Sequence, residues 1–363
     1  MTTTGIIAEF NPFHTGHKFL LSQAGQTAVV VAMSGNWMQR GEPTWVDKWT
    51  RAGMALKNGA DLVVELPLMV SLQGADFFAA GAVDILSKLG CDELLFGTED
   101  GTTNYERLRK IYTEKSGEMS QYIDGLPDEM TYPQKAEKAW EKFAGVTFDG
   151  ETPNHILGLA YAKAASRTSM KLRTVKRDTG YNDQQAGEQF ASATAIRGNE
   201  SLIERFVPEN ARDLLKTVTK VTWADFYKAL QVQIITSDLT SIFQMNDELA
   251  NRLKRSVGVC GAFEELVEMV ATRRYTKGYI RRLLCYILLQ IPREFDLPEP
   301  IHVLGFTSRG KELLAKAREA EVPVVTKIGQ HPWDALTQRG DTIYQLAKKG
   351  ITEQNYGRKP IML

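Results

Sequence analysis

A chain of 363 residues with 43% apolar and 24% charged side chains reads as an ordinary globular protein, long enough to bury a full core and to hold two domains. Its 44 basic and 44 acidic residues cancel, which argues against coating nucleic acid through bulk charge and leaves a local basic patch as the route to any RNA. No apolar run approaches the about 18 residues of a membrane span, and no basic segment with an apolar core reads as a secretion signal. Cys91, Cys260 and Cys285 lack metal-ligand spacing, so a soluble protein of the reducing cytoplasm with no membrane partner is expected.

The first half alternates short apolar runs with helical patterns. Thr4 to Phe10 reads as a strand, His17 to Ala24 as a helix, and Ala28 to Met33 as a second, buried strand. A helix from Lys48 to Gly59 follows, capped by Asp47, then strands Leu62 to Leu66 and Glu93 to Phe96 around a helix from Gly74 to Leu89. Residues 102–150 form a polar helical insertion, Asn154 to Ala165 a helix, Leu172 to Val175 a fifth strand, and Phe190 to Glu204 a helix beginning near Ser192. The chain is then mostly helical, with short strands at Ile301 to Leu304 and Val324 to Thr326 around a helix from Ser308 to Ala320. The pattern predicts an α/β fold: a Rossmann-like parallel sheet over residues 1–210, and a mostly helical domain over 211–363. Phosphate chemistry then belongs at the carboxyl ends of the strands.

The most informative segment is Asn11-Pro12-Phe13-His14-Thr15-Gly16-His17, at the turn from first strand to first helix. A helix N-terminus leaves backbone N–H groups that attract anions, and Gly16 removes a side chain where backbone must approach phosphate. His14 and His17 can each donate a ring N–H where charge grows on a departing pyrophosphate, with Lys18 as a further cation. The plainer alternative is a pair of turn histidines, perhaps ligating a metal. No Cys, Asp or His cluster elsewhere completes such a site, so no protein-held metal is expected. Glu9 and Asn11 line an acceptor pocket or cap the loop.

Two further blocks follow strands. Ser34 to Gly41 contains Arg40, a bidentate donor to carboxylate or phosphate. After the fifth strand come Arg177 and then Ser192, Thr194 and Arg197, a hydroxyl pair at a helix start with an arginine one turn on, suited to phosphate oxygens. Asn154, at another helix start, is a cap or a nucleotide contact. Gly97 and Gly101 compete as the glycine that lets a nucleotide approach. Between Ala271 and Arg293 lie Arg273, Arg274, Lys277, Arg281, Arg282 and Arg293 with no acidic residue, interleaved with Tyr275, Tyr279 and Tyr286. That stretch is the candidate RNA patch, or a solvated helix face whose tyrosines are packing.

Taken together, the blocks Glu9 to His17, Ser34 to Pro43, Gly59 to Pro67, Phe96 to Glu99, Pro153 to Gly158 and Arg273 to Thr276 resemble the bacterial tRNA(Met) cytidine acetate ligases, a branch of the HxGH nucleotidylyltransferases. The resemblance implies an enzyme that joins acetate to N4 of the wobble cytidine of elongator tRNA(Met), using ATP with phosphate-bound Mg2+ and passing through acetyl-adenylate. It implies an ATP site formed by Ile7, Ala8, Glu9, Phe10, Asn11, Gly16, His17 and Leu20, with Gly101, Asn154 and Arg177. The rivals are a small-molecule nucleotidylyltransferase and a non-catalytic RNA-binding protein. Oligomeric state is not legible.

Overall fold

The computed structural model describes residues 2–99, 101–146, 153–176, 190–329 and 333–363, residues 153 and 154 by backbone only. Chain order begins with β1 (Thr3–Ala8), α1 (Thr15–Ser22), β2 (Ala28–Ser34), the two-stranded hairpin β3 (Trp37–Met38) and β4 (Glu42–Pro43), α2 (Lys48–Leu56), β5 (Leu62–Leu66), α3 (Leu68–Ser71), α4 (Ala75–Lys88) and β6 (Glu93–Thr98). It continues through α5 (Tyr105–Asp124), α6 (Tyr132–Ala144), α7 (Pro153–Ala165), β7 (Lys171–Lys176), α8 (Ala193–Gly198), α9 (Ile203–Phe206) and α10 (Glu209–Thr217). The helical run α11 (Tyr227–Thr236), α12 (Asp247–Ser256), α13 (Phe263–Val270) and α14 (Lys277–Leu288) precedes β8 (Ile301–Phe306), α15 (Ser308–Glu319), β9 (Val324–Val325), α16 (Ala335–Gln345) and β10 (Ile361–Met362).

β-Branched runs build the sheet because both of its faces are covered. All of β2 is buried, and its alternate residues divide between two cores. Val30 and Ala32 pack with Phe78, Leu86 and Leu159 of α4 and α7, while Val31 and Met33 pack with Ala52 and Ala55 of α2. Strand order is β10-β8-β5-β2-β1-β6-β7, with β9 also on β8. β1 is central, parallel to β2 on one side and β6 on the other. The α/β sheet is therefore as expected from the strand pattern. Two features depart from it. β8 runs antiparallel to β5, so the sheet is mixed, and β8 and β10 bring the C-terminal residues 301–363 back into it. The helix expected over Phe190 to Glu204 is broken: α8 ends at Gly198, Asn199 is extended, and its side chain caps a new turn by accepting from Ser201 N–H. A third core fills the helical region, where Tyr286 of α14 is fully buried and donates to the Leu72 carbonyl at 2.6 Å. Among the described residues no helix is long and apolar enough to cross a membrane.

Under the strand ends lies a buried charge network. Lys48 Nζ sits 2.8 Å from Glu65 and 2.5 Å from Asp341 of α16, and His302 of β8 meets Glu65 at 2.6 Å. Asn36 adds its amide to Asp341 at 2.8 Å. One lysine thus serves two carboxylates. Burial, with the Glu65 charge behind it, pushes Asp341 up to about 7 in spite of Lys48. Glu65, which burial alone would raise, is held below its usual range by Lys48 and His302. Burial pushes His302 down.

The sign of the linkage follows. A carboxyl raised in the folded state keeps a proton that the unfolded chain gives up near its ordinary value of about 3.9, so its stabilisation is complete below that value and is lost as pH rises through about 7. Asp341→Asn removes this dependence while leaving Glu65 and His302 in place. Urea unfolding at pH 5 and pH 8 should show wild type losing stability relative to the variant at the higher pH. A difference that does not change with pH would rule out a raised Asp341 carboxyl in the folded state.

Candidate functional site at the strand ends

The histidine loop shapes itself. The His14 N–H donates to His17 Nδ1 at 3.3 Å, and the Gly16 N–H donates to His14 Nδ1 at 3.1 Å. Each ring therefore caps the N-terminus of α1 with Nδ1 as acceptor, which in the neutral ring puts the proton on Nε2. The rings stack at 3.7 Å, and Phe10 and Phe13 pack against His17 at 4.9 and 5.7 Å. Gly16 is required: a Cβ there would come within 2.9 Å of His14 Cε1. Phe10 turns the chain into the loop with φ of 50°, a left-handed conformation unusual for a bulky residue.

Arg51 of α2, fully buried, gathers the carbonyls behind this loop. Its Nη1 donates to Glu9 O at 2.6 Å and Ser34 O at 3.0 Å, its Nε to Val46 O at 2.8 Å, and Nη2 to Gly35 O. Composition does not reveal this role, but a signal exists: Glu65 interrupts an otherwise apolar strand, and Lys48 and Arg51 stand one turn apart on the preceding helix. Charges in such buried elements demand partners.

A cavity of about 580 Å3 opens at the carboxyl ends of β1 and β6 and under the hairpin that follows β2. The expected residues Ile7, Ala8, Glu9, Phe10, Asn11 and His14 form its floor. His17, Leu20, Thr194 and Arg197 continue the wall on the phosphate side, and Gly97, Ile156, Leu157 and Tyr161 line the β6 side. Arg40 and Glu42 of the hairpin line the β2 side together with Arg281 of α14. Arg197 Nη1 donates to Asn11 O at 2.5 Å, and its Nη2 lies 3.4 Å from Thr194 Oγ1 and 3.9 Å from Glu42. Ser192 is the N-cap of α8, accepting from Ala195 N–H at 3.0 Å. Asn11 turns its side chain to Trp45 N–H at 2.6 Å, a loop-holding contact, and Glu9 accepts from Gln39 N–H at 3.0 Å.

Other expected residues lie elsewhere. Lys18 is exposed and not on the cavity wall. Gly97, not Gly101, lines the cavity; Gly101 faces Lys176, 3.1 Å from where its Cβ would lie. Asn154 falls in the first turn of α7, whose first two side chains are outside the description, and Arg177 lies outside the described residues.

The basic stretch divides on folding. Arg273, Arg274 and Lys277 are exposed, whereas Arg281 and Arg282 are half-buried. Neighbouring α13 supplies acids that the linear window lacked: Lys277 pairs with Glu268 and Arg281 with Glu264, both at 2.5 Å. The tyrosines are occupied. Tyr275 accepts from Asn246 at 2.9 Å, Tyr279 donates to Gln244 O at 2.8 Å, and Tyr286 is core. The hairpin meets α14 at Gly41, whose φ is 79° and whose Cβ would fall 2.4 Å from the backbone between Arg281 and Arg282.

The chain matches the HIGH Nucleotidyl Transferase family over residues 1–359. It is 54% identical over 368 residues to a tRNA(Met) cytidine acetate ligase of Streptococcus pneumoniae (strain Hungary19A-6), covering 100% of this chain and 99% of that protein. The serotype 4 strain carries a protein of the same name, 53% identical with the same coverage. Two crystal structures of Thermotoga maritima TmcAL superpose over 100% of both chains at 26% identity: an apo form with a TM-score of 0.88, and one bound with alpha-thio ATP with a TM-score of 0.87.

Gly41→Ala tests the hairpin contact. The left-handed backbone alone costs about 1–2 kcal/mol with a side chain, and the helix must also give way. Urea unfolding should show a loss of at least about 1 kcal/mol; an unchanged midpoint would mean that α14 does not rest on the hairpin.

Proposed function

The chain belongs to the tRNA(Met) cytidine acetate ligase family, and from that premise we propose how its cavity carries out the ATP-dependent ligation. Acetate and ATP meet at the ends of β1 and β2. A carboxylate oxygen of acetate attacks the α-phosphorus, an O–P bond forms as the bond to the bridging oxygen breaks, and pyrophosphate leaves. The cytidine N4 of elongator tRNA(Met) then attacks the acetyl carbon of the acetyl-adenylate at the wobble position. The C–O bond to AMP breaks, AMP leaves, and one N4 proton passes to water.

The observation that carries this reading is the self-capped histidine pair. Because both Nδ1 atoms accept from backbone, each neutral ring has its proton on Nε2, which makes it a donor suited to phosphate oxygens without reorganisation. Arg197 and Thr194 add charge and a hydroxyl beside it, and the apolar Phe96, Ile156 and Leu157 suit a nucleoside on the β6 side. Gly97 takes the place considered for Gly101. Ser192 acts through the helix it caps, and Asn11 and Glu9 hold the loop. Among the described residues no group of three or more His, Cys, Asp or Glu side chains could hold a metal, so Mg2+ accompanying the nucleotide would rest on phosphate oxygens and water, where it neutralises charge. Exposed Arg273, Arg274 and Lys277 offer the tRNA backbone its first grip, with the helical residues after 210 as the RNA-facing part and residues 1–210 as the activating part. A tRNA acceptor and ATP suit work in the cytoplasm.

Incubation with ATP and labelled acetate, with and without tRNA, tests the reading. Acetyl-adenylate without tRNA and acetylated tRNA with it are expected. Adenylylation of another acceptor without acetyl transfer would favour a small-molecule nucleotidylyltransferase, and no ATP binding a non-catalytic RNA-binding protein. His17→Ala should slow acetate-dependent pyrophosphate exchange by about 10²-fold, since a donor aimed at developing phosphate charge has that worth; an unchanged single-turnover rate sinks the assignment. Arg273→Ala with Arg274→Ala should weaken tRNA binding roughly tenfold and flatten its salt dependence, because each lost phosphate contact removes close to one unit of slope. Filter binding across a salt series reads both.

A further inference from the structure

Arg281 stands apart from the rest of the basic stretch. It belongs to α14, in the helical region, yet it lines the same cavity as His14, His17 and Arg197. Gly41 lets α14 rest directly on the hairpin, and Trp223 fixes that contact by donating to Gly41 O at 3.0 Å. The guanidinium is held on one side by Glu264 at 2.5 Å, while its buried Nε–H has no acceptor among the described residues. A buried donor without an acceptor is costly and marks an incomplete arrangement. The same side chain lines the cavity, so its charge faces whatever anion enters there.

The position selects the anion. The phosphate-side groups, His14, His17, Thr194 and Arg197, stand on the α1 and α8 side, and the apolar nucleoside wall stands on the β6 side. Arg281 is on the β2 side, across from that apolar wall, with Arg40 and with Glu42, which lies 3.9 Å from Arg197. The anionic reactant left to bind there is the small carboxylate. We propose that Arg281 is part of the acetate subsite: its guanidinium holds the acetate carboxylate beside the α-phosphorus of ATP. This rests on the ligase reading and extends it, since it makes the activating cavity incomplete without a side chain from the helical region. It also separates Arg281 from the RNA-facing residues with which it is contiguous in sequence.

The test is acetate-dependent ATP–pyrophosphate exchange by the full-length protein without tRNA. Arg281→Ala should raise the KM for acetate about tenfold or more, the worth of a charge-assisted hydrogen bond, while the KM for ATP moves less than about twofold. Arg281→Lys, which keeps the charge and the aliphatic stem, should recover part of the loss and guards against misfolding of the alanine variant. An acetate KM unchanged in both variants, with a raised KM for tRNA in the full reaction, overturns the proposal and returns Arg281 to the RNA backbone. A raised KM for ATP equal to that for acetate also overturns it, as a phosphate contact. Wild-type protein that exchanges no pyrophosphate at any acetate concentration overturns the parent reading instead.

Discussion

Two cations of one short helix hold the site together. Arg51 draws the Glu9, Ser34 and Gly35 carbonyls to a single guanidinium, and Lys48, one turn earlier, satisfies Glu65 in the middle of the sheet and Asp341 near the end of the chain. Carbonyls at strand ends lose their ladder partners where the chain turns away, and here a buried charge meets the deficit. The histidine loop and the hairpin both start from these carbonyls. Their relative position is therefore set by one side chain that cannot be replaced by an apolar one without leaving several acceptors unmet.

Much of this arrangement was legible in the sequence, because its signals are local. The strand patterns, the helix starts and the histidine loop each depend on residues within one turn or one strand, and they fell where periodicity and capping place them. The rest depends on contacts across the chain. The antiparallel entry of β8 is a matter of how a distant strand approaches the edge of β5, which no window of sequence records. The break at Asn199 turns on a cap competing with helix propagation, a balance of small terms. The basic stretch looked uniformly cationic because its neutralising acids, Glu264 and Glu268, sit on the preceding helix. Gly97 lines the cavity and Gly101 does not for a similar reason: Gly97 lies within β6, paired with Val175 of β7, whereas Gly101 lies beyond the strand against Lys176.

The histidines show how one set of atoms answers two requirements. A helix start needs acceptors, and imidazole Nδ1 provides them; the tautomer so fixed carries its N–H on the opposite nitrogen, which is the donor the proposed triphosphate contact calls for. A serine or aspartate would cap as well but would offer the phosphate no such N–H. The stacked rings keep the pair in register with each other.

The return of the chain to the sheet has a mechanical result. Helices α11 to α14 leave from one side of the sheet's packing and re-enter through β8, so this region is a closed excursion anchored at both ends, with Tyr286 pinning its middle to the Leu72 carbonyl. A body tethered by a single linker samples a wide cone, whereas one fastened at three places has only a rocking freedom. Cutting the gene between the two parts would sever the pairing of β8 with β5 rather than free a module.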